Sequence, residues 1–123
     1  MRAARKRRPS EIVAPRNREL RAQVWRILAA DRCTVGEAWE RAVASPASRW
    51  WISEERAEQA VGAWLRRPRA ARTPRERCYA LLARLYAERR EADPALTCAA
   101  FLRATLPTPA PEYFLSASAA RRC

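Results

Sequence analysis

Apolar residues recur at three- and four-residue intervals in five separate stretches of this chain, which is the period of an amphipathic helix that buries one face. Leu20, Val24, Ile27 and Leu28 make the first stripe, with Trp25 beside it. Val35, Ala38, Trp39, Ala42 and Val43 make the second, and Ala57, Ala60, Val61, Trp64 and Leu65 the third. Cys78, Leu81, Leu82 and Leu85 follow, flanked by Tyr79 and Tyr86. Cys98, Phe101, Leu102, Thr105 and Leu106 close the series. Two Gly against nine Pro place sharp breaks between helices. The expectation is an all-α fold of about five helices plus a C-terminal stub over 117–122. About half of the 123 residues are apolar, enough for one small packed core.

Helix starts are marked by chemistry as well as by period. Thr34 with Glu37 forms a capping box, in which hydroxyl and carboxylate each satisfy an amide of the first turn. Thr73-Pro74-Arg75-Glu76 adds Pro at the first helical position, and Glu76 is expected to close a second box. Ser53 is a good N-cap, with Glu54 and Glu55 placed where the helix dipole favours negative charge. Between the second and third stripes, Pro46 ends a helix and Trp50, Trp51 and Ile52 predict a short extended segment. In such a segment Trp50 and Trp51 project to opposite sides, so one enters the core. The other faces a second layer or solvent, where, beside Arg49, it could stack on a base.

The halves of the chain repeat. At an offset of 63, Ser45-Pro-Ala-Ser-Arg-Trp-Trp-Ile-Ser53 aligns with Thr108-Pro-Ala-Pro-Glu-Tyr-Phe-Leu-Ser116. Pro46 meets Pro109, Trp50 meets Tyr113, Trp51 meets Phe114 and Ser53 meets Ser116. Thr34 falls on Thr97 at the same offset, and the first helix aligns with the fourth at an offset near 57. Each copy reads helix, helix, extended aromatic segment, helix, and two such copies would share a core. The layout is a disordered basic arm at 1–16, a first helical repeat at 17–65, a basic linker at 66–72 and a second, truncated repeat at 73–123. Trp50 and Trp51 should then occupy the same local frame as Tyr113 and Phe114.

The duplicated Pro-Ala-x-Arg-aromatic-aromatic-aliphatic-Ser element, seen at Pro46–Ser53 and Pro109–Ser116, resembles a family of small uncharacterised proteins from phages and integrative elements of gut Bacteroidetes. The resemblance spans about residues 17–122. Glu112 stands in the second element where the first has Arg49. A phage or mobile-element setting is what the resemblance implies. It implies no activity.

Charge narrows the class of partner. The net charge is +12, yet 22–65 and 78–120 are close to neutral. The excess lies in residues 1–21 (+6), in 66–77 (+5) and in Arg121 and Arg122. Arg5, Lys6, Arg7 and Arg8 in the arm, Arg66, Arg67, Arg69 and Arg72 in the linker, and Arg49 are the candidate phosphate contacts. Such a distribution attracts polyanions through counterion release. DNA rather than RNA is the expected nucleic acid. The third helix could serve as a reading helix, but Glu54, Glu55 and Glu58 make its exposed start acidic, so arm and linker would supply affinity more than sequence choice.

Enzymatic chemistry is not expected. The chain has no His, no Gly-rich phosphate loop and no nucleophile elbow. Cys33, Cys78, Cys98 and Cys123 are far apart without a CxxC pair, so neither a metal site nor a disulfide framework is expected, and no cofactor. No apolar run reaches the ~18 residues of a membrane span, and the basic N-terminus lacks an apolar region after it. The expected setting is the bacterial cytoplasm, with neither membrane nor small-molecule substrate as partner. Two functions fit. One is a DNA-binding accessory or regulatory protein of a phage or mobile element. The alternative is a non-catalytic adaptor or inhibitor that binds a phage or host protein through its neutral helical face.

Overall fold

The computed structural model describes residues 10–122. It is all-α, with helices α1 (Ser10–Ala30), α2 (Val35–Ala44), α3 (Glu54–Arg66), α4 (Pro74–Ala92), α5 (Cys98–Thr105) and α6 (Ala117–Arg121), and no strand among the described residues. No described helix is long and apolar enough to cross a membrane.

The caps account for most of the boundaries. Thr34 Oγ1 accepts from the Glu37 amide at 3.1 Å, and Glu37 Oε1 accepts from the Thr34 amide at 2.9 Å, so the expected box is closed. Thr97 caps α5 through the Ala100 amide. Ser53 and Ser116 cap α3 and α6 through the amides of Arg56 and Ala119. At α4 the box takes another form. Thr73 accepts from the Glu76 amide, but the Glu76 carboxylate turns outward and accepts from the Arg72 amide at 2.8 Å, one residue before the cap. Arg69 holds the other carboxylate oxygen at 2.9 Å and draws the side chain that way.

The first helix starts seven residues earlier than the expected start at Asn17, so 10–16 are helical and Pro15 lies inside α1. An interior proline costs about 3 kcal/mol. Partial burial of Ile12, Val13 and Arg16 and near-complete burial of Asn17 offset it, and Glu11 favours the dipole in the first turn. Residues 1–9 of the expected arm lie outside the described residues.

The described residues divide into two compact units: one comprises those up to Pro46 and those from Pro111 on, the other 47–110. In the first, α2 packs against α1 and α6. Leu20, Val24, Ala38, Ala42, Tyr113 and Ala120 fill its core. The Tyr113 amide donates to the Val43 carbonyl at 3.0 Å, and the Tyr113 hydroxyl donates to the Glu19 carboxylate. In the second unit, α3 packs against α4 and α5 around Val61, Trp64, Leu82, Phe101 and Leu102. Ala47 and Ala110 exchange amide-to-carbonyl bonds of 2.9 and 3.0 Å as an isolated antiparallel bridge. The Trp50 amide donates to the Leu106 carbonyl at 3.0 Å. Tyr86 closes the α4–α5 turn by donating to the Leu96 carbonyl at 2.9 Å.

The aromatic segments are not strands, and the two follow different backbone paths. Trp50 and Tyr113 are both buried, each with its amide bonded to a carbonyl at or just past a helix end. One residue later the paths part. Ile52 donates to the Trp50 carbonyl and closes a three-residue turn around Trp51. Phe114 instead takes a left-handed conformation, φ 56°. The turn around Trp51 brings Ile52 into the core, whereas Leu115 stays half-buried.

Candidate nucleic-acid interface

The basic linker joins α3 to α4 inside the second unit, and one carboxylate organises it. Glu76, in the first turn of α4, accepts from the Arg72 amide and from the Arg69 guanidinium. These bonds, the Arg72 amide first and the Arg69 side chain second, hold the Glu76 carboxyl below the usual range. Arg69 also lies over the Trp64 ring, 4.4 Å from its centroid, with Trp64 buried at the end of α3. A cation over an aromatic face is worth about 0.5–1 kcal/mol at such an exposed site. Arg69 therefore pins the linker from both ends.

The other linker arginines are oriented by that scaffold without being consumed by it. Arg66, Arg67 and Arg72 are exposed, and no carboxylate among the described residues pairs with their guanidinium groups. Arg75, which follows in the first turn of α4, is in the same condition. It belongs with the linker set although the sequence reading ended that set at Arg72. The signal for it was the excess charge of 66–77, which does not stop at the helix cap. Arg66, Arg67, Arg72 and Arg75 thus lie within ten residues of chain that hold no acidic side chain, and Glu76 follows them directly.

Arg49 is placed differently. Its Nε donates to the Trp50 carbonyl at 3.1 Å, and its guanidinium lies 5.1 Å from the centre of the Trp51 ring. Trp51 is half-buried, and its indole N–H is shielded from solvent with no acceptor. Arg49 thus covers one ring face of Trp51. Trp50, 4% exposed, is a core residue, as is Tyr113. Phe114 is half-buried, and Pro46 and Pro109 are exposed at the segment starts. Arg5, Lys6, Arg7 and Arg8 lie outside the described residues.

The exposed start of α3 is acidic. Glu54 pairs with Arg103 of α5 at 3.3 Å, and Glu55 and Glu58 are also exposed. Glu58 and burial together raise the Cys98 thiol pKa, burial being the larger cause, which keeps that thiol protonated and poorly nucleophilic. No disulfide joins Cys33, Cys78 and Cys98.

Trp25 is the residue that sequence reasoning placed least well. Counted beside the first apolar stripe, it is 70% exposed, while Leu20 and Val24 on the inner face of α1 are buried. One residue step turns a helix by about 100°, which carries Trp25 out of the core that holds Val24.

No family model, curated protein or solved structure matches this chain.

Proposed function

We propose that this is a small, non-enzymatic DNA-binding accessory or regulatory protein of a phage or mobile element, acting in the bacterial cytoplasm and gripping phosphates through its arm and linker. The observation that carries the reading is the linker: Arg66, Arg67, Arg72 and Arg75 stay exposed and without carboxylate partners among the described residues, while Glu76, Arg69 and Trp64 hold the backbone between them. Ordered cations lose less freedom on meeting phosphate than cations on a loose loop. Arg49 and Arg69 then act as positioning residues rather than as contacts.

We propose further that the fold arose by duplication of one helical unit. Residues 63 apart play equivalent parts: Thr34 and Thr97 as caps, Ser53 and Ser116 as caps, Ala57 and Ala120 as buried small residues, Trp50 and Tyr113 as buried aromatics. The Ala47–Ala110 bridge joins two such equivalents.

A salt titration of binding to a short duplex of arbitrary sequence tests the function. Affinity should fall linearly on log–log axes, and Arg66→Gln, Arg67→Gln and Arg72→Gln should each flatten the slope by about 0.9. Absence of binding at low salt rejects the proposal. The alternative, an adaptor or inhibitor that docks on another protein, then takes its place, and the exposed acidic start of α3 is the feature that favours it.

A further inference from the structure

We infer that two copies of this chain exchange their C-terminal segments, residues 111–122 of each completing the α1–α2 core of the other. The partner is a second copy of the chain. The inference stands apart from the nucleic-acid reading, because it uses only which segment fills which core.

The core of α1 and α2 is closed by a segment that reaches it from the far end of the chain. Tyr113 and Ala120 are buried there with Leu20, Val24, Ala38 and Ala42, and α6 packs on α2, while 47–110 forms the other unit. The Tyr113 amide donates to the Val43 carbonyl at 3.0 Å, and its hydroxyl donates to the Glu19 carboxylate. The opposite trade is made in the other unit, where the Trp50 amide donates to the Leu106 carbonyl at 3.0 Å and α3 packs on α5. These are the same two positions read at an offset of 63: Tyr113 with Val43 becomes Trp50 with Leu106 when the sequence copies change places. Ala47 and Ala110, also 63 apart, bond to each other and so map onto their own pair. Contact of one position with a second, and of the second with the first, is the rule of a symmetric dimer interface. Here one chain makes that contact with itself, and a second chain supplies the same groups.

The α1–α2 core selects which segment it takes. A buried tyrosine that hydrogen-bonds Glu19 is followed seven residues later by a buried alanine. Trp50 and Ala57 have the same spacing, but Trp50 has no hydroxyl for Glu19, so 111–122 of the second copy is taken rather than its 48–57. Exchange keeps every one of these bonds, since the same residues meet, and alters only the hinge. That hinge is short. Ala110 is held by Ala47 and Tyr113 by Val43, which leaves Pro111 and Glu112 between them. Pro111 fixes its own φ, and Phe114 just beyond takes φ 56°, a region that bulky side chains rarely enter. A short hinge under strain favours exchange over self-closure. What remains is the entropy lost on association, which concentration offsets.

The test uses the full chain without nucleic acid, refolded at high and at low concentration, with mass read by size exclusion and light scattering. The intact chain should give a dimer after refolding at high concentration. That dimer should persist on dilution, because release of the segment means opening the core. Inserting a flexible Gly-Ser stretch between Pro111 and Glu112 relaxes the hinge and should shift the equilibrium toward monomer by about tenfold or more. Deleting Pro111 and Glu112 prevents the segment from turning back and should leave dimer only. Amide hydrogen exchange in α1 and α2 should be equally slow in monomer and dimer, since the core contacts are the same. An intact chain that is monomeric at every concentration overturns the inference, whether or not the deletion variant folds. A deletion variant that folds as a monomer does the same. A dimer that the longer hinge leaves unchanged also overturns it, and if Trp25→Ala removes that dimer, its interface is the exposed face of α1. Each of these failures leaves the linker reading standing, since no arm of the experiment contains DNA.

Discussion

Trp25 and Trp50 have opposite fates, and their substitution separates surface from core. Trp50 is 4% exposed, so Trp50→Ala should cost about 3–5 kcal/mol of unfolding free energy in urea titration. Trp25→Ala should change stability by less than about 0.5 kcal/mol, as surface substitutions do. Tyr113 provides a test by pH. Burial, then the hydrogen bond to Glu19, push its phenol well above the ordinary tyrosine range. A group raised in the folded state stabilises fully below its unfolded pKa, near 10, and progressively less as pH climbs toward the folded value. Stability of the intact chain should therefore fall as pH is raised beyond about 10, and Tyr113→Phe should lessen that dependence. Thermal melts across alkaline pH measure it. The difference between Trp25 and Trp50 was not legible in the residues themselves, because the segment that covers an aromatic ring is distant in sequence.

At the scale of the element, the caps and the linker hub make separable contributions. Thr34→Ala removes the acceptor for the Glu37 amide and breaks the reciprocal box, so a loss of about 1 kcal/mol is expected. Thr97→Ala removes a single cap bond and should cost no more. Glu76→Gln acts on the linker. It keeps the shape of the side chain and removes the charge that holds Arg69, so trypsin should cut within 66–72 faster than in the intact chain. Acid should act in the same direction. The Glu76 carboxyl is depressed, so its contribution is present above the unfolded carboxylate range and is lost as pH falls through the folded value. Unchanged cleavage in Glu76→Gln would show that the linker holds its shape without this hub. Five of the six helix starts were legible from cap residues and period. The sixth, at Ser10, was not, because a proline six residues into a helix reads as a stop unless the packing of Ile12, Val13 and Asn17 is known.

At the scale of the whole molecule, the unit that holds α1, α2 and α6 is discontinuous in sequence and depends on the return of the chain after Ala110. Tyr113 and Ala120 complete its core, and the Tyr113 hydroxyl is the partner of Glu19. Stopping the chain after Ala110 should expose these surfaces. Amide hydrogen exchange should then accelerate in α1 and α2 more than in α3, α4 and α5, whose unit lies within 47–110. Equal acceleration everywhere would show that the chain folds as one cooperative body.

The amino-acid sequence by itself determined the all-α class, the caps at Thr34, Ser53 and Thr73, the breaks at Pro46 and Pro94, and the concentration of charge in the linker. These follow from short-range physics: side-chain period, local hydrogen bonding of hydroxyls and carboxylates, and the missing amide of proline. Only the tertiary structure decided that Tyr113 completes the core around Ala38 and Ala42, that Glu76 turns away from its own cap to hold Arg69, and that Trp25 faces water. Each of those outcomes depends on which distant segment fills a given space, and such pairings across the chain are set by the competition among all apolar surfaces for a small core rather than by any local pattern.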